Sequence, residues 1–293
     1  MNKKTKRFSK INIEISNICN LQCSFCPEVI RDKKMMSVDL FEKIIQQVSP
    51  LTDQVCLHLM GDPLVHPQLS QFIEICARFK TPVFFVTNGV LLREDKIETL
   101  LHPIIRQINF SLHSFNDNFP DRDPTMYLDK IFHYTEAAFL RRPDLYINYR
   151  LWNLSEPRGR DEKNTSILGR IENYYNVTID KNIDVKSEKS IKIKNRLYLH
   201  YDTEFTWPAL NLPVLDTRGT CLGLKSHFGI LADGTVVPCC LDKEAAIPLG
   251  DLNHQDILTI LKSPRAVALR QGFQDRILVE DLCQRCNYIE RFN

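Results

Sequence analysis

Three cysteines near the start of the chain constrain its fold more than any other feature. Cys19, Cys23 and Cys26 follow the spacing C-x3-C-x2-C and come directly after an apolar stretch. Thiolates are soft, anionic ligands that tolerate iron in both redox states. Three of them can hold three of the four irons in a [4Fe-4S] cluster and leave the fourth iron open for chemistry. The alternative is part of a zinc site, although structural zinc usually has four ligands in two pairs.

Short β-rich runs alternate with amphipathic segments from residue 11 to about residue 152. This alternation predicts repeated βα units around a parallel sheet. The predicted strands cover residues 11–16, 54–60, 82–87, 106–113 and 145–152. Apolar residues recur at helical spacing over 40–48, 69–79 and 128–139. A sixth unit is predicted over 164–195, with a helix that includes Ile167, Ile171 and Tyr174 and a strand that includes Ile191 and Ile193.

Polar residues alternate with apolar ones within three of these strands, and the alternation predicts which side chains face the interior. The polar positions are Asn12, Glu14 and Ser16 on the first strand, Asn109, Ser111 and His113 on the fourth, and Tyr146, Asn148, Arg150 and Trp152 on the fifth. A polar face that recurs on several buried strands predicts a wet interior that binds a ligand. Antiparallel strands with one face in solvent would produce the same alternation and remain the alternative.

The cysteine spacing, the apolar strand before it and the aromatic Phe25 resemble the radical S-adenosylmethionine (radical SAM) superfamily. The resemblance implies an α/β fold with a partial (β/α)6 barrel, which we assign to residues 1–200, and a [4Fe-4S] cluster on Cys19, Cys23 and Cys26. In that family the open iron binds the methionine end of S-adenosylmethionine. An electron, supplied by a donor such as flavodoxin or ferredoxin, cleaves the cofactor to a 5'-deoxyadenosyl radical, which takes a hydrogen atom from an unactivated C–H bond.

The segment after the second predicted strand resembles the Gly-Gly-Glu element of the same family. It reads Leu-Met-Gly-Asp-Pro-Leu over residues 59–64, so Asp62 stands where the family commonly has glutamate. A glycine permits close backbone approach, and a proline fixes the turn. The resemblance implies that Gly61 and Asp62 contact the amino group of the cofactor's methionine. An ordinary turn is the alternative for a Gly-Asp-Pro sequence.

Four further residues near the ends of the predicted strands are candidate ligands. Asn88 lies in a Thr-Asn-Gly sequence that resembles a family turn after the third strand. Ser111 aligns with a family position whose hydroxyl approaches the cofactor's ribose or carboxylate, and Arg150 could pair with that carboxylate. His113 is the candidate general base or substrate contact, and a structural hydrogen-bond donor is the alternative for an isolated histidine.

A second group of cysteines follows the predicted barrel. Cys221, Cys239, Cys283 and Cys286 can close a site completely, because four thiolates leave no open position on a cluster. A hairpin that turns at residues 233–234 is predicted to carry the second of them. One helix is predicted before the final pair, with the apolar residues Ile257, Leu258, Leu261, Val267 and Leu269.

This layout resembles a shortened SPASM region, also called a twitch domain, and implies one auxiliary [4Fe-4S] cluster in a small cysteine-rich domain over residues 201–293. A zinc ribbon is the alternative for the four cysteines. Cys240 adjoins a proposed ligand and is left unassigned, whereas Cys56 and Cys76 are predicted to lie in the core. The order of one barrel and one auxiliary cluster is similar to that of butirosin-pathway aminocyclitol dehydrogenases.

Composition limits the classes of function. The formal charge of the 293 residues is +2, so nothing in the bulk composition indicates a nucleic-acid partner. No apolar run approaches the roughly 18 to 20 residues of a membrane span, and the first residues lack the apolar stretch of a secretory signal. The ten cysteines favour cluster ligands in a reducing compartment over disulfides. The predicted location is the cytoplasm, without a membrane partner.

Three functions are compatible with the sequence. The resemblance favours a radical SAM oxidoreductase that acts on a small molecule such as a sugar, a cyclitol or another metabolite, with the auxiliary cluster as electron acceptor. The second function is maturation of a peptide or protein by dehydrogenation or crosslinking, although a first strand at residue 11 leaves no room for the leader-binding domain that such enzymes often carry. The third is a zinc-stabilised binding module without catalysis.

Overall fold

The computed structural model describes residues 7–160 and 162–292 of the chain. The chain divides into two units, each assembled from separate stretches of sequence. The first unit contains the residues up to Cys19, Pro27–Val83 and the residues from Thr206 onward, and the second contains Asn20–Cys26 and Phe84–Phe205. The domain boundary near residue 200 stays a prediction.

Twelve strands and eight α-helices lie in the described residues. The strands are β1 (Ile11–Ile13), β2 (Val55–Cys56), β3 (Val83–Thr87), β4 (Ile105–Ser111), β5 (Tyr146–Leu154), β6 (Arg158–Arg160), β7 (Asn182–Asp184), β8 (Ser190–Lys194), β9 (Leu197–Thr203), β10 (Gly229–Ile230), β11 (Thr235–Val237) and β12 (Gly250–Asp251). The helices are α1 (Val38–Val48), α2 (Leu69–Arg78), α3 (Glu94–Leu100), α4 (His113–Asn118), α5 (Thr125–Arg141), α6 (Thr165–Tyr175), α7 (Ile257–Ile260) and α8 (Pro264–Gln274). None of these helices is both long enough and apolar enough to cross a membrane.

The strands of the first unit stand in the order β12-β11-β10-β1-β2. β1 pairs in parallel with both of its neighbours, whereas β11 pairs antiparallel with β10 and β12. The predicted hairpin is confirmed, and its turn contains Gly234 with a φ of +97°, a left-handed conformation that favours glycine. α1 begins after Ser37, whose side chain accepts a hydrogen bond from the backbone N–H of Leu40, and it buries its predicted apolar face.

The strands of the second unit stand in the order β3-β4-β5-β9-β8. β5 pairs in parallel with both β4 and β9, as predicted for βα units. The helix predicted at the start of the sixth unit is confirmed as α6. The helical periods predicted over 40–48, 69–79 and 128–139 are likewise confirmed as α1, α2 and α5.

The strand predicted for the sixth unit is wrong. Ile191 and Ile193 lie in β8, which pairs antiparallel with β9 and is not part of the parallel set. The chain reverses at Asn195, whose φ of +48° is a left-handed value that asparagine tolerates in tight turns. The strand that runs parallel to β5 is therefore β9, a few residues further along the chain.

The fourth predicted strand, 106–113, ends earlier than the alternation indicates. β4 stops at Ser111, and His113 is the first residue of α4. Leu112 between them has helical backbone angles, with φ −63° and ψ −34°. Ser111 and His113 therefore do not share one face of a strand, because the pleat that would place them there has already ended.

The single helix predicted before the last two cysteines is two helices. The break lies at Ser263, whose side chain accepts a hydrogen bond from the N–H of Ala266 and so caps α8. Pro264 occupies the first helical position, where its missing N–H costs nothing but where it cannot continue α7. Leu258 and Val267 are 49% and 46% exposed, so these two predicted core positions face solvent in part.

A buried arginine connects two loops of the second unit. The Arg142 side chain donates to the carbonyl oxygens of Leu101, His102 and Ile105 at 2.9, 2.6 and 3.0 Å. It also donates twice to the Asp144 carboxylate at 3.0 Å. The carbonyl groups that follow α3 thus receive their hydrogen bonds from Arg142, which lies just before β5.

We predict that Arg142→Met lowers the free energy of unfolding by about 3 kcal/mol, because several buried carbonyl groups lose a charged donor. Arg106→Met is the matched control, since Arg106 is exposed, and we expect it to change stability by less than about 0.5 kcal/mol. Urea denaturation followed by circular dichroism measures both. Equal stability of the two variants would contradict the role assigned to Arg142.

Candidate cluster and cofactor sites

Cys23 and Cys26 lie in a short loop of the second unit, outside any helix or strand. The backbone N–H of Cys26 donates to the carbonyl oxygen of Cys23 at 3.0 Å and closes this loop. A hydrogen bond with Cys26 lowers the pKa of Cys23 to about 7, against burial, which raises it. At neutral pH Cys23 is therefore partly thiolate, the form that binds iron. Cys19, the third predicted ligand, is exposed and belongs to the first unit.

Two side chains at the end of α4 hold this loop, and sequence reasoning missed both. Asp117 accepts hydrogen bonds from the backbone N–H and the hydroxyl of Ser24 at 2.6 and 2.5 Å. Asn118 accepts from the N–H of Gln22 at 2.9 Å and donates to the sulfur of Cys23 at 3.1 Å. Because 95 positions separate Asn118 from Cys23, no local sequence pattern indicates the contact.

The turn at Gly61 packs directly on the backbone that leads into Cys19. Gly61 has a φ of +73°, and a Cβ atom there would lie 2.3 Å from the carbonyl oxygen of Ser16 and 2.7 Å from that of Ile18. The next N–H, that of Asp62, donates to the Ile18 carbonyl at 3.0 Å. Both the backbone conformation and the lack of space require glycine at this position.

The Asp62 carboxylate is 3% exposed and accepts a hydrogen bond from the N–H of Leu64 at 2.9 Å. It thereby caps the 3-10 turn at Pro63–Val65. The two interpretations of the Gly-Asp-Pro sequence, an ordinary turn and a cofactor-binding element, are therefore compatible with the same geometry. That Gly61 and Asp62 contact the amino group of S-adenosylmethionine stays a prediction.

Glu14, predicted to face the interior, is fully buried and paired. Arg31 Nη2 lies 3.0 Å from both of its carboxylate oxygens. The backbone N–H groups of Met60 and Ala232 donate to the same carboxylate at 3.3 and 3.2 Å. Burial raises the pKa of Glu14, and the Arg31 charge opposes that shift. These partners show that Glu14 joins segments of the first unit.

Three predicted cofactor ligands lie in the second unit. Asn88 donates from Nδ2 to the side-chain oxygen of Asn20 at 3.0 Å, so it is anchored one residue beyond Cys19 in sequence. Ser111 and Arg150 are directly opposite each other on β4 and β5. The guanidinium carbon of Arg150 lies 3.9 Å from the centre of the Trp152 ring, a cation–π contact that orients it. The binding of S-adenosylmethionine by these residues stays a prediction.

His113 is 4% exposed, and its Nδ1 lies 3.1 Å from the carbonyl oxygen of Arg150. The backbone N–H of Trp152 lies 3.4 Å from the same Nδ1, so the carbonyl contact requires a protonated Nδ1 and the Trp152 contact an unprotonated one. The imidazole centre is 4.8 Å from that of the Phe25 ring. Burial lowers the pKa of His113 to about 4, so the ring is neutral at neutral pH. Both backbone contacts hold the ring in place, which fits a structural role, and the role of general base stays a prediction.

The four C-terminal cysteines lie in the first unit, and burial raises the pKa of each thiol, that of Cys286 to about 11. Neighbouring thiols add to the shift at Cys239, since Cys240, Cys283 and Cys221 would repel its negative charge. The N–H of Gly223 approaches the Cys221 sulfur at 3.4 Å. A set of crowded thiolates suits cationic irons, which would offset both burial and repulsion, so these donors fit an iron-sulfur cluster. Within the described part of the chain, no three His, Cys, Asp or Glu side chains come close enough to hold a single metal ion.

The other cysteines have apolar surroundings. Cys240 packs against a buried cluster that includes Leu59 and Val237, although it directly follows a proposed ligand. Cys56 and Cys76 are 2% and 0% exposed, which confirms that both lie in the core. Burial raises the pKa of the Cys76 thiol well above its usual range, so it stays protonated and unreactive.

We predict that Gly61→Ala lowers the free energy of unfolding by about 3 kcal/mol, because the added methyl group overlaps two carbonyl oxygens in a left-handed turn. Gly169→Ala in α6 is the matched control, since its Cβ would meet no atom within 4 Å. We expect this control to raise stability by about 0.5 to 1 kcal/mol through helix propensity. Thermal or urea unfolding of both variants checks the pair, and a neutral Gly61→Ala result would refute the close approach.

We predict that His113 makes stability fall between about pH 6.5, the usual pKa of histidine, and about pH 4, its folded value. In this window the unfolded chain binds a proton that the folded chain does not, at a cost of at most about 1.4 kcal/mol per pH unit. His113→Gln removes this contribution, so its difference in unfolding free energy from the wild type shrinks as the pH falls. The exposed His254→Gln serves as control, and a constant difference for His113→Gln from pH 7 to pH 5 would contradict a neutral buried ring.

Comparison with known proteins identifies two domains. Residues 13–153 match the Radical SAM superfamily, and residues 221–287 match the SPASM iron-sulfur cluster-binding domain. The S-adenosyl-L-methionine-dependent 2-deoxy-scyllo-inosamine dehydrogenase of Niallia circulans is 27% identical over 142 residues. This match covers 42% of the present chain and 56% of the relative, so the chain spans about half the length of that protein.

Two solved structures share the fold. BtrN in complex with AdoMet and 2-DOIA has a TM-score of 0.57 and 18% identity, over 96% of this chain and 94% of that chain. Streptococcus suis SuiB bound to the precursor peptide SuiA has a TM-score of 0.61 and 14% identity, over 98% and 73%. The fold is thus mixed α/β, with the parallel strands typical of a radical SAM partial barrel, and the two matched domains imply [4Fe-4S] clusters and S-adenosylmethionine. The chain thus combines a Radical SAM domain over residues 13–153 with a C-terminal SPASM domain over residues 221–287.

Proposed function

We propose that this enzyme oxidises a small molecule, such as a sugar, a cyclitol or another metabolite, by abstraction of a hydrogen atom. The observation that carries the proposal is the presence of two thiol sets of different size, one of three cysteines and one of four. Three ligands leave an iron open for the cofactor, whereas four ligands close the second cluster, so its role is electron transfer. The dehydrogenase from Niallia circulans supports this assignment.

The proposed reaction is a two-electron oxidation of a carbon that carries a hydroxyl group. When bound, S-adenosylmethionine supplies the radical that breaks the C–H bond homolytically. The hydrogen atom would leave with the adenosyl fragment, and the hydroxyl proton would leave to a base, for which His113 is the candidate. Cys221, Cys239, Cys283 and Cys286 would hold the cluster that takes up the remaining electron. A carbonyl group is left on the substrate, so atoms and electrons balance.

We assign the binding of the cofactor to side chains at the strand ends. The close packing of Gly61 on the backbone before Cys19 supports a fixed turn beside the open iron. The adjacency of Ser111 and Arg150 on β4 and β5 supports a shared ligand, for which a carboxylate is the chemical match. The full proposed set is Gly61 and Asp62 for the amino group, Asn88, Ser111 and Arg150 for the rest of the cofactor, and His113 as the candidate base.

We also propose the surroundings in which the enzyme works. The ten cysteines include compact groups that suit cluster ligation better than disulfides, which supports a reducing compartment such as the cytoplasm. The first cluster needs an external electron donor, for which flavodoxin or ferredoxin is the proposed partner. The barrel and the auxiliary-cluster domain are proposed to occupy residues 1–200 and 201–293.

A second candidate is the radical modification of a peptide. SuiB bound to its precursor peptide supports it, because that structure aligns with 98% of this chain. The yield of 5'-deoxyadenosine separates the two candidates, since a true substrate increases turnover of the cofactor. An increase with aminocyclitols and sugars but not with peptides supports the first function, and the opposite pattern supports the second.

We predict that the anaerobically reconstituted wild type holds about eight irons and eight sulfides, and that a Cys19→Ala, Cys23→Ala, Cys26→Ala variant holds about four of each. The wild type, but not the triple variant, should release 5'-deoxyadenosine when reduced in the presence of S-adenosylmethionine. Iron, sulfide and zinc analyses with a cofactor-cleavage assay measure these quantities. Cys76→Ala is the control, because this core cysteine binds no cluster in our assignment.

The opposite results have distinct meanings. A wild type with about four irons and one zinc would make the second site structural and would remove the proposed electron acceptor. Eight irons without release of 5'-deoxyadenosine would argue against radical chemistry. A Cys76→Ala variant with half of the wild-type iron would contradict the ligand assignment itself.

A further inference from the structure

The last two residues of α4 make four hydrogen bonds to three consecutive residues of the cysteine loop. Asp117 binds the N–H and the hydroxyl of Ser24, and Asn118 binds the N–H of Gln22 and the sulfur of Cys23. These three loop residues lie outside any helix or strand. Side chains of α4 thus hold the cysteine loop in place, where regular backbone hydrogen bonding is absent.

The orientation of the Asn118 amide is fixed by its partners. Its oxygen accepts from the N–H of Gln22, a group that can only donate. Its nitrogen therefore faces the other way, where it donates to the carbonyl oxygen of Ser114 at 2.9 Å and to the sulfur of Cys23 at 3.1 Å. The alternative amide orientation would set donor against donor at Gln22. The N–H group thus points at the sulfur for a structural reason.

A donor on a ligating sulfur changes the energy of a cluster. Reduction adds negative charge to the cluster and its thiolates, so an N–H···S hydrogen bond stabilises the reduced form more than the oxidised form. The reduction potential then rises. The Asp117 carboxylate makes its hydrogen bonds to Ser24, and its negative charge also disfavours negative charge on the sulfur of Cys23.

We propose that Asn118 is a positioning residue of the radical SAM cluster, which orients Cys23 as a ligand and raises the reduction potential of the cluster through its N–H···S hydrogen bond. Asp117 is its structural companion, which holds the loop without contact to the sulfur. The proposal rests on the function proposed above, since it requires that Cys23 is a cluster ligand.

The test is the midpoint potential of the cluster in the full-length, reconstituted protein, followed by electron paramagnetic resonance. The relevant cluster is the one whose signal changes when S-adenosylmethionine is added. Asn118→Leu removes the donor at similar volume, and Asn116→Leu on the same helix is the matched control. We expect a lower midpoint potential for that cluster in Asn118→Leu, with the potential of the other cluster unchanged and with both potentials unchanged in Asn116→Leu.

A second variant guards against loss of the loop structure. Asn118→Asp keeps the acceptor for the N–H of Gln22 but has no donor for the sulfur, so it should lower the same potential while it retains iron. Because the variant loses the hydrogen bond that orients Cys23, we also expect iron to be lost to a chelator about 10-fold faster than in the wild type. Wild-type potentials in both Asn118 variants, with the cluster intact, would overturn the role of Asn118 alone. Absence of a cluster that responds to S-adenosylmethionine in the wild type would overturn this role together with the proposed function.

Discussion

The buried carboxylate of Glu14 is the group on which the first unit depends. It directly follows β1, and it also accepts hydrogen bonds from Met60, beyond β2, and from Ala232, beyond β10. One side chain therefore joins the ends of three neighbouring strands. Burial of a carboxylate costs on the order of several kcal/mol unless a cation compensates it, and Arg31 supplies that cation. The strand ends cannot separate without leaving a buried charge unpaired.

This ion pair also connects the two cysteine-bearing regions of the sequence. Arg31 donates from Nε to the carbonyl oxygen of Lys243, and its own N–H donates to the Glu244 carboxylate. Lys243 in turn donates to the carbonyl oxygen of Glu28 at 2.6 Å. The residues just after the first cysteine motif are thereby fixed to the residues just after Cys239. Two stretches that the sequence presents as separate domains share hydrogen bonds within one structural unit.

Repeating local patterns account for what the sequence could predict. Helical and strand periods located α1, α2, α5 and most parallel strands, because side-chain spacing alone determines which face is apolar. The β8–β9 reversal was missed, since a left-handed turn at Asn195 leaves no periodic trace. The contact of Asn118 with Cys23 was missed for a different reason, as it depends on the tertiary fold over 95 positions. Sequence motifs were enough to predict the ligands, but the residues that hold these ligands in place could be identified only in the structure.

Cys240 has a consequence for how the cluster ligands can be identified. Besides burial, it contributes to the raised pKa of Cys239 and of Cys286, so its thiol lies within electrostatic reach of the proposed ligands although it packs on apolar side chains. Cys239 and Cys240 are adjacent and lie just after β11, outside any strand. A second thiol therefore lies beside the proposed ligand Cys239. If a variant that lacks only Cys239 still holds iron, this does not show that Cys239 is not a ligand. The contribution of Cys239 to iron binding can be isolated only when both Cys239 and Cys240 are replaced.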